Sequence, residues 1–431
     1  MRSSFCFAPQ SAYNGSLMSS VPNRWILATA AVVMQMCLGI IYAWAVFRTP
    51  LEQAYGWSKT MSIAPYRWSI LFFTLAMIVA GFWQDRKGPR LVASVGGFLL
   101  GAGCLLASFI GSDHNGLVFS YGIIAGLGVG FAYVTPIATC VKWFPDKRGL
   151  VVGLAVMGFG LGSLIFAPLL EAMLGKDPAM YATTLPRTFQ ILSGIFFVIV
   201  IGCAQLYQVP PPGWKPAGWS PVTAGSGGAR AEYGPAAMLR TWQFWAVWAV
   251  YFLMSSVGLT AIGEAAPLVR ELAGSSMIMT AGAALGVMSL FNGLGRLGWG
   301  AFSDRSGHRT AMLAISAIAA LTCALLLPDA NTFGRVLAGI CLVGLCYGGA
   351  LAVMPSVTAA FYGPRHIGAN YGILFTAWGA AGFVVPRYCA GVIERAKAAG
   401  QLTAGYNQVF YTLAVLAALG IGAAALVRRP D

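Results

Sequence analysis

Twelve runs of apolar residues, most about 20 long, follow one another along this chain. A run of that length is what an α-helix needs to cross the hydrocarbon core of a bilayer. The runs are Trp25–Phe47, Ser62–Trp83, Leu91–Gly111, Leu117–Cys140, Leu150–Leu170, Thr188–Tyr207, Trp242–Gly263, Met277–Ala301, Ala311–Leu327, Val336–Ala359, Ala369–Val385 and Val409–Val427. Ala311–Leu327 is the weakest of them. Lipid offers the backbone no hydrogen-bond partner, so each run is expected to be helical. The alternating ten-residue segments of a membrane barrel are not seen. Only 9% of the residues are charged, against about 25% in soluble domains, too few to cover a surface facing water. The expectation is an all-α membrane protein with 12 transmembrane helices. The nine cysteines stand apart, with no metal-ligand spacing. No cofactor or metal is expected, and no nucleophile–base pair suggests an enzyme.

The basic residues set the orientation. With both termini on the same side, sixteen of the 27 Lys and Arg fall on that side. Positive residues favour the cytoplasm, so both termini are expected there, in the plasma (inner) membrane. The net charge of +14 is then a topology signal, and nucleic acid is not an expected partner.

Between the sixth and seventh runs lies a segment rich in Pro, Gly and Ser, whose composition is that of a flexible connector. The expected organisation is a tail over 1–24, a six-helix bundle over 25–208, a linker over 209–240, a second six-helix bundle over 241–427 and a short tail over 428–431. The halves match each other in one constant register. Gly81, Asp85, Arg86, Gly88 and Arg90 map onto Gly300, Asp304, Arg305, Gly307 and Arg309. In the same register Gly130, Pro136, Pro145, Gly149 and Gly160 map onto Gly349, Pro355, Pro364, Gly368 and Gly379. Internal repeats in a membrane protein point to a transporter with its site at the repeat interface.

The two loops read GFWQDRKGPR and GAFSDRSGHR. The pattern G-x-x-x-D-R-x-G-x-R after spans two and eight resembles the signature of the major facilitator superfamily. That resemblance implies two pseudo-symmetric six-helix bundles and a mostly monomeric protein, and it makes the loops a gating latch. A finer resemblance, to the oxalate/formate antiporter family related to the monocarboxylate transporters, rests on NRW at Asn23–Trp25, YAW at Tyr42–Trp44, KWFPDKRG at Lys142–Gly149, LFNGLGR at Leu290–Arg296 and NYG at Asn370–Gly372.

Arg296 is the one charge well inside a span. It precedes Asp304 by eight residues, which places it about 12 Å up the helix from the cytoplasmic end. A central arginine costs about 2.5–3.5 kcal/mol to insert, and no Asp or Glu lies near the middle of any run. A substrate anion would offset the cost. The plainer alternative is an arginine solvated at a helix boundary or paired to backbone carbonyls. Asn292, one turn earlier, can donate a second hydrogen bond to a carboxylate. Asn292 resembles in position the aspartate that carries the proton in animal monocarboxylate transporters, but asparagine does not titrate. Trp378 aligns with a second cation, a lysine, of the oxalate carriers, which implies a mono-anion and a smaller pocket. Phe375, Tyr347, Tyr133, Tyr42 and Gln35 are further lining candidates, on helices that line the cavity in this family.

The expected function is secondary transport of a small monocarboxylate of the lactate, pyruvate or formate type. The anion would bind Arg296, with protons as the coupling ion and Glu264 as a candidate proton carrier. The alternative is carboxylate exchange of the oxalate/formate type, which needs no proton site.

Overall fold

The computed structural model describes residues 23–175, 177–216, 218, 232–272 and 281–430. Most of the expected terminal tail, the middle of the linker and the first residues of the eighth run lie outside these. Twelve long helices are present among the described residues: α1 (Arg24–Ala43), α2 (Lys59–Lys87), α3 (Pro89–Ile110), α4 (His114–Trp143), α5 (Arg148–Leu174), α6 (Pro178–Leu206), α7 (Trp242–Leu272), α8 (Ala281–Ser306), α9 (His308–Leu326), α10 (Phe333–Tyr362), α11 (Ile367–Ala398) and α12 (Leu402–Leu426). No strand occurs among the described residues. The exterior is what lipid requires: Phe109, Val198 and Leu325 are 72%, 74% and 70% exposed. Arg296, by contrast, is 0% exposed.

Eleven helices among the described residues are long and apolar enough to cross a membrane. The weakest run of the sequence, now α9, is among them, with its last turns widened into a π-helix at Thr322–Leu326. The helix outside that set is α8, although it is 26 residues long. The reason is where α8 sits. It packs along α5 on one side and α10 on the other, so much of its surface meets protein instead of lipid and tolerates Asn292 and Arg296.

Glycine makes that packing possible. A Cβ at Gly149 of α5 would stand 2.4 Å from the carbonyl oxygen of Gly300 on α8, and one at Gly153 would stand 2.3 Å from that of Arg296. The α2–α11 contact repeats the arrangement at the matched positions of the other half-pair. A Cβ at Gly81 would stand 2.1 Å from Gly368 O, and one at Gly372 would stand 2.4 Å from Met77 O. Backbones this close leave no room for a side chain.

The repeated loops close one face of the molecule. Asp304 accepts hydrogen bonds from the backbone N–H groups of Gly149 and Leu150, at 2.8 and 2.9 Å, at the N-terminus of α5. Asp85 accepts from Ala369 N at 2.9 Å at the N-terminus of α11. A carboxylate there satisfies orphan N–H groups and complements the helix dipole. Each aspartate therefore ties its own half to the other. Asp85 also meets Lys142 Nζ at 3.3 Å, while the residue matching Lys142 in the second half is Phe361. Gly88 and Gly307 take φ of 87° and 88° in the tight turns to α3 and α9, a region that glycine enters freely. Arg86, Arg90 and Arg305 are exposed, and Arg309 donates to Ala425 O.

Candidate functional site

Arg296 and Asn292 stand one turn apart on α8 and face α5. The Nε of Arg296 donates to Oδ1 of Asn292 at 2.9 Å, and Nη1 donates to the carbonyl of Val156 on α5 at 2.6 Å. The guanidinium carbon lies 5.6 Å from the centroid of the Phe159 ring, within range of a cation–π attraction. The carbonyl pairing is thus part of how the protein holds this charge, but only part. Among the described residues the Nη2 of Arg296 and the Nδ2 of Asn292, both buried, have no acceptor at full hydrogen-bonding geometry, although the hydroxyls of Tyr42 and Tyr133 interact with the guanidinium. Among the described residues Arg296 forms no ion pair with an Asp or Glu. An unmatched buried donor costs about 1–3 kcal/mol, and more when charged. The site therefore presents a permanent cation and two adjacent donors that lack a well-placed acceptor among the described residues.

Hydroxyls and rings surround it. Tyr347 of α10 accepts a hydrogen bond from Trp378 Nε1 at 2.7 Å, and its hydroxyl lies 3.1 Å from that of Tyr42. Tyr42 lies in the 3-10 turn Gly39–Ala43 that ends α1. The hydroxyls of Tyr42, Tyr133, Tyr347 and Tyr371 are all within electrostatic reach of the guanidinium. Trp378 and Phe375 stack with centroids 4.8 Å apart. Phe73 of α2 meets Tyr133, Phe375 and Trp378 at 5.1, 5.3 and 5.5 Å. A narrow cavity lined by Tyr42, Gly160, Ile262, Leu285, Met288, Ser289 and Asn292 lies on the side of Asn292 away from the latch.

Seven of the eight residues singled out in the sequence are thus connected around one centre: Arg296, Asn292, Tyr347, Trp378, Tyr133, Phe375 and Tyr42. Gln35 is placed differently. It is buried inside the first half, where its Nε2 donates to Tyr133 O at 3.3 Å and its side chain packs beside Gly158. It reaches the centre only through the backbone of Tyr133. Glu264 lines a separate apolar cavity with Thr260, Cys323, Tyr406 and Phe410, enclosed by second-half helices. Sequence reading missed Phe73, Phe159, Tyr371 and the carbonyl of Val156. The repeat register held a signal for two of them, because Phe73 matches Asn292 and Phe159 matches Trp378.

Comparison with known proteins bears on the family and the fold. Residues 25–386 match the profile of the Major Facilitator Superfamily. The chain is 29% identical over 382 residues to the oxalate:formate antiporter of Oxalobacter formigenes, covering 86% of this chain and 84% of that protein. It is 30% identical over 358 residues to apicoplast pyruvate carrier 1 of Toxoplasma gondii, covering 70% of this chain and 64% of that one. Among solved structures, the transporter FucP in its outward conformation superposes with a TM-score of 0.70 at 15% identity, over 94% of this chain and 99% of that one.

Proposed function

Because this chain belongs to the major facilitator superfamily, we propose that it carries a small monocarboxylate anion of the formate, pyruvate or lactate type across the membrane, with Arg296 and Asn292 as the carboxylate receptor. The observation that carries this reading is the pair of buried donors, Arg296 Nη2 and Asn292 Nδ2, without an acceptor at full hydrogen-bonding geometry among the described residues. A carboxylate has two oxygens in one plane, and accepting from both donors satisfies the cation and the amide together. Charge-assisted hydrogen bonds of this kind are the strong ones. One guanidinium neutralises one carboxylate. The apolar faces of Phe73, Phe375 and Trp378 suit a short tail, and the hydroxyls of Tyr42 and Tyr347 suit a keto or hydroxy group beside it. The names of the two relatives, oxalate:formate antiporter and pyruvate carrier, point to the same chemical class.

Transport follows from the site's position between the halves. Arg296 comes from α8 and Val156 from α5, so the anion sits where the two halves rock against each other. The latch face, where the basic residues collect, is read as cytoplasmic, in the plasma membrane. The test is binding by thermal shift of the purified protein across mono- and dicarboxylates, followed by uptake of labelled pyruvate into proteoliposomes. Formate, pyruvate or lactate should stabilise more than oxalate. Uptake by Arg296→Ala equal to wild type would remove the mechanism.

Coupling has two readings. Proton symport makes the anion cross with a proton, and Glu264 of α7 is the candidate carrier. Exchange of one carboxylate for another is favoured by the absence of an acid paired with Arg296 among the described residues. Uptake that requires a preloaded anion and ignores an imposed pH gradient selects exchange; uptake driven by the gradient alone selects symport.

A further inference from the structure

Val156 and Gly160 are one turn apart on α5, so they face α8 together. Val156 contributes its carbonyl to Nη1 of Arg296. Gly160 contributes space. A Cβ built there would stand 2.8 Å from Oδ1 of Asn292 and 3.2 Å from Nε of Arg296. Those atoms are joined by the 2.9 Å bond that fixes guanidinium and amide relative to each other. The nearest backbone atom of α8, the Cα of Gly293, would be at an ordinary 3.4 Å.

This separates Gly160 from its neighbours. At Gly153 a Cβ would meet backbone alone, and at Gly149 it would meet the backbone of Gly300 together with the Asp304 carboxylate, so those glycines set the distance between helices. At Gly160 it would meet the two side chains that carry the free donors. At Gly379, the matching glycine of the second half, it would meet the side chain of Thr74, which bears no charge. The repeat keeps the glycine in both halves, but only the first copy faces a cation.

We infer that Gly160 is a positioning residue of the anion site: its missing side chain lets Asn292 lock onto Arg296, and that lock aims Nη2 and Nδ2 at the same point. The inference rests on the carboxylate reading above. An added methyl group displaces the amide, the closer of the two groups, and the two donors no longer converge. The helix contact is kept, since the backbone of α8 is not crowded.

The test is a double-mutant cycle on the full-length protein in detergent, with pyruvate and formate as the titrated anions. Gly160→Ala is expected to weaken binding about tenfold, the loss of one charge-assisted hydrogen bond. In an Asn292→Ala background the same substitution has little left to displace, so it should cost little more; a purely structural role would give the same loss in both backgrounds. Wild-type affinity in Gly160→Ala, or an equal loss in both backgrounds, overturns the inference and leaves the carboxylate reading standing. Anion binding by Arg296→Ala equal to wild type, or none by the wild type, overturns both.

Discussion

A buried guanidinium without a counter-charge is an expensive residue to keep. Nε and Nη1 of Arg296 are satisfied, by Asn292 and by a helix carbonyl, and Nη2 is not. Removing an uncompensated buried charge in favour of an apolar side chain often stabilises a protein. Arg296→Met is therefore expected to melt at a higher temperature than wild type without substrate, and to lose the further rise that pyruvate or formate produces. Melting curves with and without anion check both signs. Tyr347 poses the opposite case. Its hydroxyl is the acceptor for Trp378 Nε1, so Tyr347→Phe strands a buried N–H. That change should cost about 1–3 kcal/mol of stability, read as a lower melting temperature, and it should also weaken anion binding through the reorientation of Trp378.

Toward the latch the two halves meet through backbone at α5–α8 and α2–α11, where Gly149, Gly153, Gly81 and Gly372 leave no room for a side chain. The latch aspartates lie at the end of the same contacts. They should not be equivalent, because Asp85 holds both Ala369 N and Lys142, whereas exposed Asp304 holds two N–H groups of α5. Replacing Asp85 by Asn removes an ion pair as well as a helix cap. Asp85→Asn is expected to raise amide hydrogen exchange at the start of α11, and Asp304→Asn at the start of α5. The Asp85 effect should be the larger by roughly 0.3–1 kcal/mol. Exchange mass spectrometry resolves the two peptides.

At the scale of the whole molecule, the described connector ends grip matched points on the latch face. The Trp214 ring packs on Trp143, with centroids 4.7 Å apart, and Tyr233 N donates to Tyr362 O at 3.0 Å. Trp143 and Tyr362 are themselves equivalent positions of the repeat. Farther from that face, Ser163 of α5 and Ser289 of α8 touch at 3.1 Å between hydroxyl oxygens. Alternating access requires this contact to separate. Ser163→Cys with Ser289→Cys is expected to form a disulfide under oxidation that stops transport, with flux restored by reductant. Flux that survives complete crosslinking, measured on the same vesicles, would mean that α5 and α8 move as one body.

The spans, the repeat and the buried arginine of the candidate site were legible in the sequence because each is recorded locally. A span is a run of apolar residues, the repeat is a fixed register of Gly, Pro and Asp, and an arginine amid lipid-soluble residues stands out on its own. Lipid removes every alternative to a hydrogen-bonded helix, so the elements follow directly from those runs. What the tertiary structure decided was which groups face that arginine. The carbonyl of Val156 carries no sequence mark, and the repeat register marks Phe159 and Gly160 without showing what they face, which is set by the approach of α5 and α8 at glycine distance. Gln35, a polar residue of the kind that lines a cavity, went instead to a backbone carbonyl within its own half. Hydropathy acts along one helix, whereas donor geometry depends on how two helices pack, and that packing depends on contacts far apart in the chain.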